Sequence, residues 1–144
     1  MLKCASGRSV LHIVLDTNVL LVAIPPHSPF RWIYDAFLAE RITLCVTTEI
    51  LAEYAEIFDL RANAAAGADV LSALLTLPNV AFITPHYRFN LLADPDDNKF
   101  VDCAVAANAD LLATHDRDFD VLRQVAFPVV PFGDVTALAA LLAL

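Results

Sequence analysis

The chain has 144 residues, 58% of them hydrophobic and only 18% charged, which excludes intrinsic disorder and leaves enough apolar mass for a core without disulfides. Three glycines and the lack of any low-complexity tract exclude fibrous and linker-like classes. The formal net charge is −8, opposite in sign to a protein that holds nucleic acid by bulk attraction. Phosphate chemistry on such a chain needs bound cations or a local basic patch.

In chain order, Val10–Leu15 is a short, β-branched apolar run that reads as a buried parallel strand. The greasy segment Val10–Ile24 is cut by Asp16-Thr17-Asn18 and stopped by Pro25-Pro26. It falls short of the roughly 20 apolar residues that a membrane span needs. Cys4, Cys45 and Cys103 form no paired motif, and the last two sit in apolar surroundings. Together these features predict a cytoplasmic protein with no membrane association.

Ser28 and Pro29 read as N-cap and first position of a helix to Glu40. Thr43–Val46 is a second strand. Thr47 or Thr48 then opens a helix to Phe58, with Ile50, Leu51, Tyr54 and Phe58 on one side and Glu49, Glu53 and Glu56 on another. Residues 61–77 predict an alanine-rich helix, and Val80–Thr84 a third strand. Asp94-Pro95-Asp96-Asp97 caps a helix to Asn108. Leu111–Thr114 is the next strand, followed by an acidic turn, Asp116–Asp118, and a short helix. Phe127–Val130 reads as the last strand, and Asp134 caps a terminal helix. This alternation predicts one α/β domain over residues 1–144, a three-layer α/β/α architecture with a mainly parallel central sheet. Residues 1–9 are expected to form a frayed N-terminus.

Open parallel sheets bind ligands beyond the carboxyl ends of their strands. Asp16 ends the first strand and Thr114-His115-Asp116 ends the fourth. Asp97 projects from the first turn of its helix near the centre of the buried face, whereas Asp102 points roughly 140° away on the helical count. From the second helix Glu49 and Glu53 are both available, and Glu53 lies one turn further in. Asp94, Asp96, Asp118, Asp120 and Asp134 are assigned to turns and caps, and Glu49 and Glu56 to a solvated face. None of the four histidines has metal-ligand spacing, and no phosphate-binding glycine loop or nucleophile elbow occurs.

Four stretches in order, Ile13-Val14-Leu15-Asp16-Thr17-Asn18-Val19-Leu20, Thr48-Glu49-Ile50-Leu51-Ala52-Glu53, Asp94-Pro95-Asp96-Asp97-Asn98-Lys99-Phe100 and Leu112-Ala113-Thr114-His115-Asp116-Arg117-Asp118-Phe119, resemble the PIN-domain ribonucleases. They are most similar to the toxins of type II toxin–antitoxin pairs. The resemblance implies a PIN-like fold, endonucleolytic cleavage of RNA with Mg²⁺ or Mn²⁺, an antitoxin partner and a homodimer. It matches Asp16, Glu53, Asp97 and Asp116 to the family's acidic quartet, as both catalytic residues and metal ligands, with Asn18 and Thr114 as polar neighbours. The stretch between Asp97 and Thr114 is about a residue longer than in many members, which keeps Asp102 as a rival for the third acid. Arg31, Arg88, Lys99 and Arg117 are the expected RNA contacts.

Two other readings remain open on the sequence. A haloacid-dehalogenase-like or receiver-like phosphotransfer domain also carries an Asp after strand one. The former needs a second acid where this chain has Asn18, and both need a late lysine, whereas the lysines here are Lys3 and Lys99. A catalytically inactive PIN-like interaction module is the third reading.

Overall fold

The first strand, β1 (Leu11–Leu15), has Ile13, Val14 and Leu15 buried, as an unbroken apolar run in a sheet covered on both faces requires. The computed structural model describes residues 10–61 and 64–144. The frayed N-terminus expected over residues 1–9, Cys4 included, lies outside the described residues. β1 pairs in parallel with β2 (Ile42–Val46) on one side and β4 (Leu111–Ala113) on the other. β3 (Val80–Phe82) and β5 (Phe132–Gly133) flank these, also in parallel, so the order is β3-β2-β1-β4-β5. Around this sheet lie α1 (Thr17–Ala23), α2 (Arg31–Leu38), α3 (Thr48–Arg61), α4 (Ala64–Thr76), α5 (Asn98–Ala107) and α6 (Val135–Leu141), giving the expected three-layer α/β/α fold. Among the described residues no helix is long and apolar enough to cross a membrane.

The chain moves outward from β1 through β2 to β3, then returns to add β4 and β5 on the other side. The carboxyl ends of β1 and β4 therefore flank the point where the strand order reverses, the usual place for a ligand crevice. Tyr54, Phe58 and Phe100 are buried, so α3 and α5 are seated on the core and their first turns reach the same sheet edge.

Three local departures from the sequence reading have physical causes. Residues 17–23 form α1, a helix of seven residues and too short for its periodicity to stand out within an apolar run; Val19, Leu20 and Ala23 are its buried positions. Ser28 stands before α2 but caps the preceding turn: its hydroxyl donates to the Val22 carbonyl at 2.5 Å and accepts from Phe30 N–H at 3.0 Å. The last strand is Phe132–Gly133, and Phe127–Val130 is not a strand. Pro128 and Pro131 have no N–H to give to a ladder, and Phe127 and Val129 are 81% and 78% exposed. Pairing begins where Leu112 N–H donates to the Pro131 carbonyl at 2.9 Å. A Cβ on Gly133 would lie 2.7 Å from Ala137 Cβ, so glycine lets α6 fold back across the end of β5.

Candidate functional site

Asp16 stands where β1 becomes α1. Its N–H donates to the Ala113 carbonyl at 3.0 Å, extending the β1–β4 ladder by one residue, and its own carbonyl accepts from Val19 and Leu20 at 3.0 and 3.2 Å. Its carboxylate makes no capping bond. Instead Oδ2 accepts the Thr114 hydroxyl at 2.7 Å, and Thr114 Oγ1 in turn accepts Asp116 N–H at 3.0 Å. One buried threonine thus ties together the acids that leave β1 and β4. Asp116 Oδ1 accepts Asp118 N–H at 2.9 Å, closing the acidic turn.

Glu53 reaches the same edge from α3. Its Oε1 lies 2.7 Å from Lys99 Nζ, and its Oε2 accepts the Thr17 hydroxyl. Lys99 also donates to the Asp96 carbonyl at 2.6 Å. Below them the Tyr54 hydroxyl donates to the Leu15 carbonyl at 2.5 Å and fixes α3 against the end of β1. Asp97 is half-buried at the start of α5, and its side chain makes no capping bond there.

Burial raises the Asp16 carboxyl above its ordinary value; the Thr114 hydroxyl opposes this, while the Glu53 and Asp116 charges add to it. Asp97 is pushed up to about 6, first by burial and then by Asp94, Asp16, Asp116 and Glu53. Carboxylates that raise one another in this way store repulsion that a cation would relieve. Asp97, Asp116 and Asp118 each offer an oxygen within 4.8 Å of the others. Asp16 and Glu53 fall outside that trio because their oxygens are turned onto Thr114, Thr17 and Lys99. The donors are all hard oxygens with no thiolate or imidazole among them, which fits a cation of the Mg²⁺ or Mn²⁺ kind.

The structure therefore brings Asp16, Glu53, Asp97 and Asp116 into one electrostatic cluster, and it does not bring Asp102. That residue, 4% exposed, accepts Phe89 N–H at 3.1 Å and lines a separate cavity of about 80 Å³ with Glu49, Arg88 and Lys99. Burial raises its pKa, opposed by the Phe89 N–H and Arg88. Asn18 is exposed on α1.

Of the expected RNA contacts, Lys99 is turned into the acidic cluster. Arg31 is held by Asp35 at 3.0 Å and by the Ile24 carbonyl. Arg88 meets Glu49 at 3.0 Å. Arg117 is 92% exposed and 3.7 Å from Asp120. Sequence reasoning left Asp118 among the turn formers; its position two residues after Asp116 was the signal available.

A family model for the PIN domain matches residues 12–118. An uncharacterized protein of Methanocaldococcus jannaschii, MJ1680, is 30% identical over 118 residues, covering 78% of this chain and 76% of its own. Among solved structures, VapBC2 from Rickettsia felis, determined bound to a DNA fragment from its promoter, includes a chain that matches with a TM-score of 0.61 at 18% identity. The match spans 86% of this chain and 98% of that one.

Proposed function

The chain belongs to the PIN-domain family, and from that premise we propose that it is a Mg²⁺- or Mn²⁺-dependent endoribonuclease, the toxin of a toxin–antitoxin pair. The observation that carries this reading is the convergence of Asp16, Glu53, Asp97 and Asp116 from four separate segments onto the sheet edge where the strand order reverses. Asp16, Asp97 and Asp116 would hold the cation, with Asp118 within reach of the last two. Glu53 would complete the cage or orient the attacking water. Such an ion, when bound, neutralises the scissile phosphate, lowers the pKa of a water and stabilises the leaving oxygen.

The chain's own residues do the rest. Thr114 holds one oxygen of Asp16 and so sets the orientation of the carboxylate at the strand end. Glu53 stands beside Lys99 with its other oxygen on the Thr17 hydroxyl, and would act as the proton acceptor once a bound substrate draws it from these partners. Asp102 lies off this cluster and acts by anchoring the 83–93 segment through Phe89 N–H. Arg88 and Arg117, both largely exposed, are the cations best placed for RNA. The antitoxin partner is supported by the fold shared with a chain of VapBC2. We read residues 1–144 as one cytoplasmic domain acting as a homodimer.

The test is cleavage of a labelled RNA panel by purified protein. Activity should vanish in EDTA, return with Mn²⁺, and be absent in Asp16→Asn and Asp116→Asn proteins shown to be folded. Cleavage that survives EDTA or either substitution would refute the reading.

A further inference from the structure

Residues 83–91, between β3 and the Asp94 turn, belong to no helix or strand, and they carry the sequence His86-Tyr87-Arg88-Phe89. Nitrogen-bearing and aromatic side chains alternate, and in extended chain alternate side chains face opposite ways. Arg88 faces the small cavity that also holds Lys99 and Asp102. Tyr87 and Phe89 face a groove of about 440 Å³ that Phe82 also lines. His86 and Asp102 line both spaces, so the two are contiguous. Lys99 continues the path inward, since its Nζ is 2.7 Å from Glu53 Oε1.

This segment is fixed in place. Phe89 N–H donates to Asp102 Oδ1 at 3.1 Å and Leu92 N–H to Asn98 Oδ1 at 3.0 Å, both on α5. Its Tyr87 ring nevertheless stays outside the core, 74% exposed, with the half-buried Phe89 ring centroid 6.4 Å away, and Phe82 at the end of β3 is 59% exposed. Exposed rings grouped in a groove mark a binding surface more often than an accident of folding. The Arg88–Glu49 pair is largely solvent-exposed, so exchanging Glu49 for a phosphate would cost little.

Rings on one side and cations on the other, leading to an acidic centre, fit a chain of unpaired nucleotides: bases stack on the rings and phosphates follow the cations. An A-form duplex hides its base faces and cannot use such a wall. A peptide would be served by the rings but has no need of Arg88 and Lys99 lining the cavity that leads to the carboxylates. We propose that the Phe82–Tyr87–Phe89 groove stacks unpaired bases of a single-stranded RNA beside the acidic centre, with His86 and Arg88 along its backbone. This rests on the nuclease reading.

Fluorescence anisotropy in EDTA, where the strand is not cut, tests it with a labelled short oligouridylate and a labelled duplex hairpin. Tyr87→Ala should weaken oligouridylate binding about tenfold, the scale of one lost base–ring stack. Tyr87→Phe should restore it, and duplex binding should not change. The Mn²⁺-induced melting shift should be the same in all three proteins. Unchanged oligouridylate affinity in Tyr87→Ala overturns the proposal while wild-type cleavage leaves the nuclease reading intact. Equal weakening toward duplex overturns it too, as does dissociation of a homodimer with RNA affinity unchanged, which would give the groove to a second copy. Tyr87-dependent binding without cleavage of any RNA would keep the groove and remove the nuclease.

Discussion

Asp97→Asn in metal-free buffer offers the most direct measure of the strain in the acidic cluster. The Asp97 carboxyl rises from its ordinary 3.8 to about 6, chiefly through burial, then through the charges of Asp94, Asp16, Asp116 and Glu53. Between pH 4 and 6 the native protein therefore keeps a proton that the unfolded chain has released. Stability falls as pH rises through that window, and the loss is complete above about 6. Converted directly, the rise is worth about 3 kcal/mol. Asp97 is only half-buried, so solvent screening reduces this to roughly 1.5 kcal/mol. The substitution sacrifices no capping bond, since the side chain makes none, but it removes about 0.5 kcal/mol of favourable charge at the start of α5. Asp97→Asn should thus be more stable than wild type by about 1 kcal/mol at pH 7.5, an increase of roughly 0.5 M in urea midpoint. The two proteins should converge near pH 4. Urea unfolding in EDTA across this range measures the difference. An Asp97→Asn protein that is less stable than wild type at pH 7.5, or equally displaced at both pH values, would refute the reasoning.

Millimolar Mn²⁺ or Mg²⁺ should raise the melting temperature of wild type and far less that of Asp16→Asn; equal shifts would place the ion elsewhere. Asp97→Asn should cost at least about a hundredfold in cleavage, the scale of lost transition-state charge stabilisation, while Asp102→Asn keeps most activity. The reverse result would mean that the wrong acid on α5 faces the substrate. Lys99→Met leaves Glu53 without its cation, so that protein should melt lower in EDTA and gain more from Mn²⁺ than wild type does. An unchanged gain would show that Lys99 sits clear of the ion. Tyr54→Phe removes the 2.5 Å bond to the Leu15 carbonyl inside the core and should cost about 1–2 kcal/mol in urea unfolding, with no change in the Mn²⁺ requirement.

What could be read from the residues was whatever depends on near neighbours. The apolar run ending at Leu15 announced a central strand, and a parallel sheet puts Asp16 and Asp116 at one edge whatever the loops do. The helical count separated Asp97 from Asp102, and Asp97 does lie with Asp116 and Asp118 while Asp102 lines the cavity of Glu49 and Arg88. Long-range partners left no such trace. Nothing near Lys99 announces Glu53, because the pair forms only when α3 and α5 pack against the same strand end. Asp118 looked like any turn aspartate until Asp97 arrived within 4.8 Å of it. Val129 has strand propensity, but Pro128 and Pro131 deny the stretch its donors, and the pairing moves on to Phe132. The ring-lined groove was hidden for the same reason, since Phe82 and Tyr87 line one space only after residues 83–91 are pinned to α5.

The sign of the net charge, which first argued against a nucleic-acid substrate, takes a different meaning once its distribution is known. Six carboxylates, those of Asp16, Glu53, Asp94, Asp97, Asp116 and Asp118, gather at the carboxyl edge of the sheet beside the ammonium of Lys99. Fully ionised, they leave five negative charges there, more than half of the chain's formal −8. More than half of what repels a polyanion is thus concentrated where divalent cations would offset it. The remainder is spread over a surface on which charges more than about 8 Å away are largely screened at physiological ionic strength. Beside that edge lie Arg88 and His86, in a segment that also carries the exposed ring of Tyr87. On the nuclease reading, an acidic chain would hold RNA through an affinity that is local and depends on the ion, and the −8 is then no argument against the substrate.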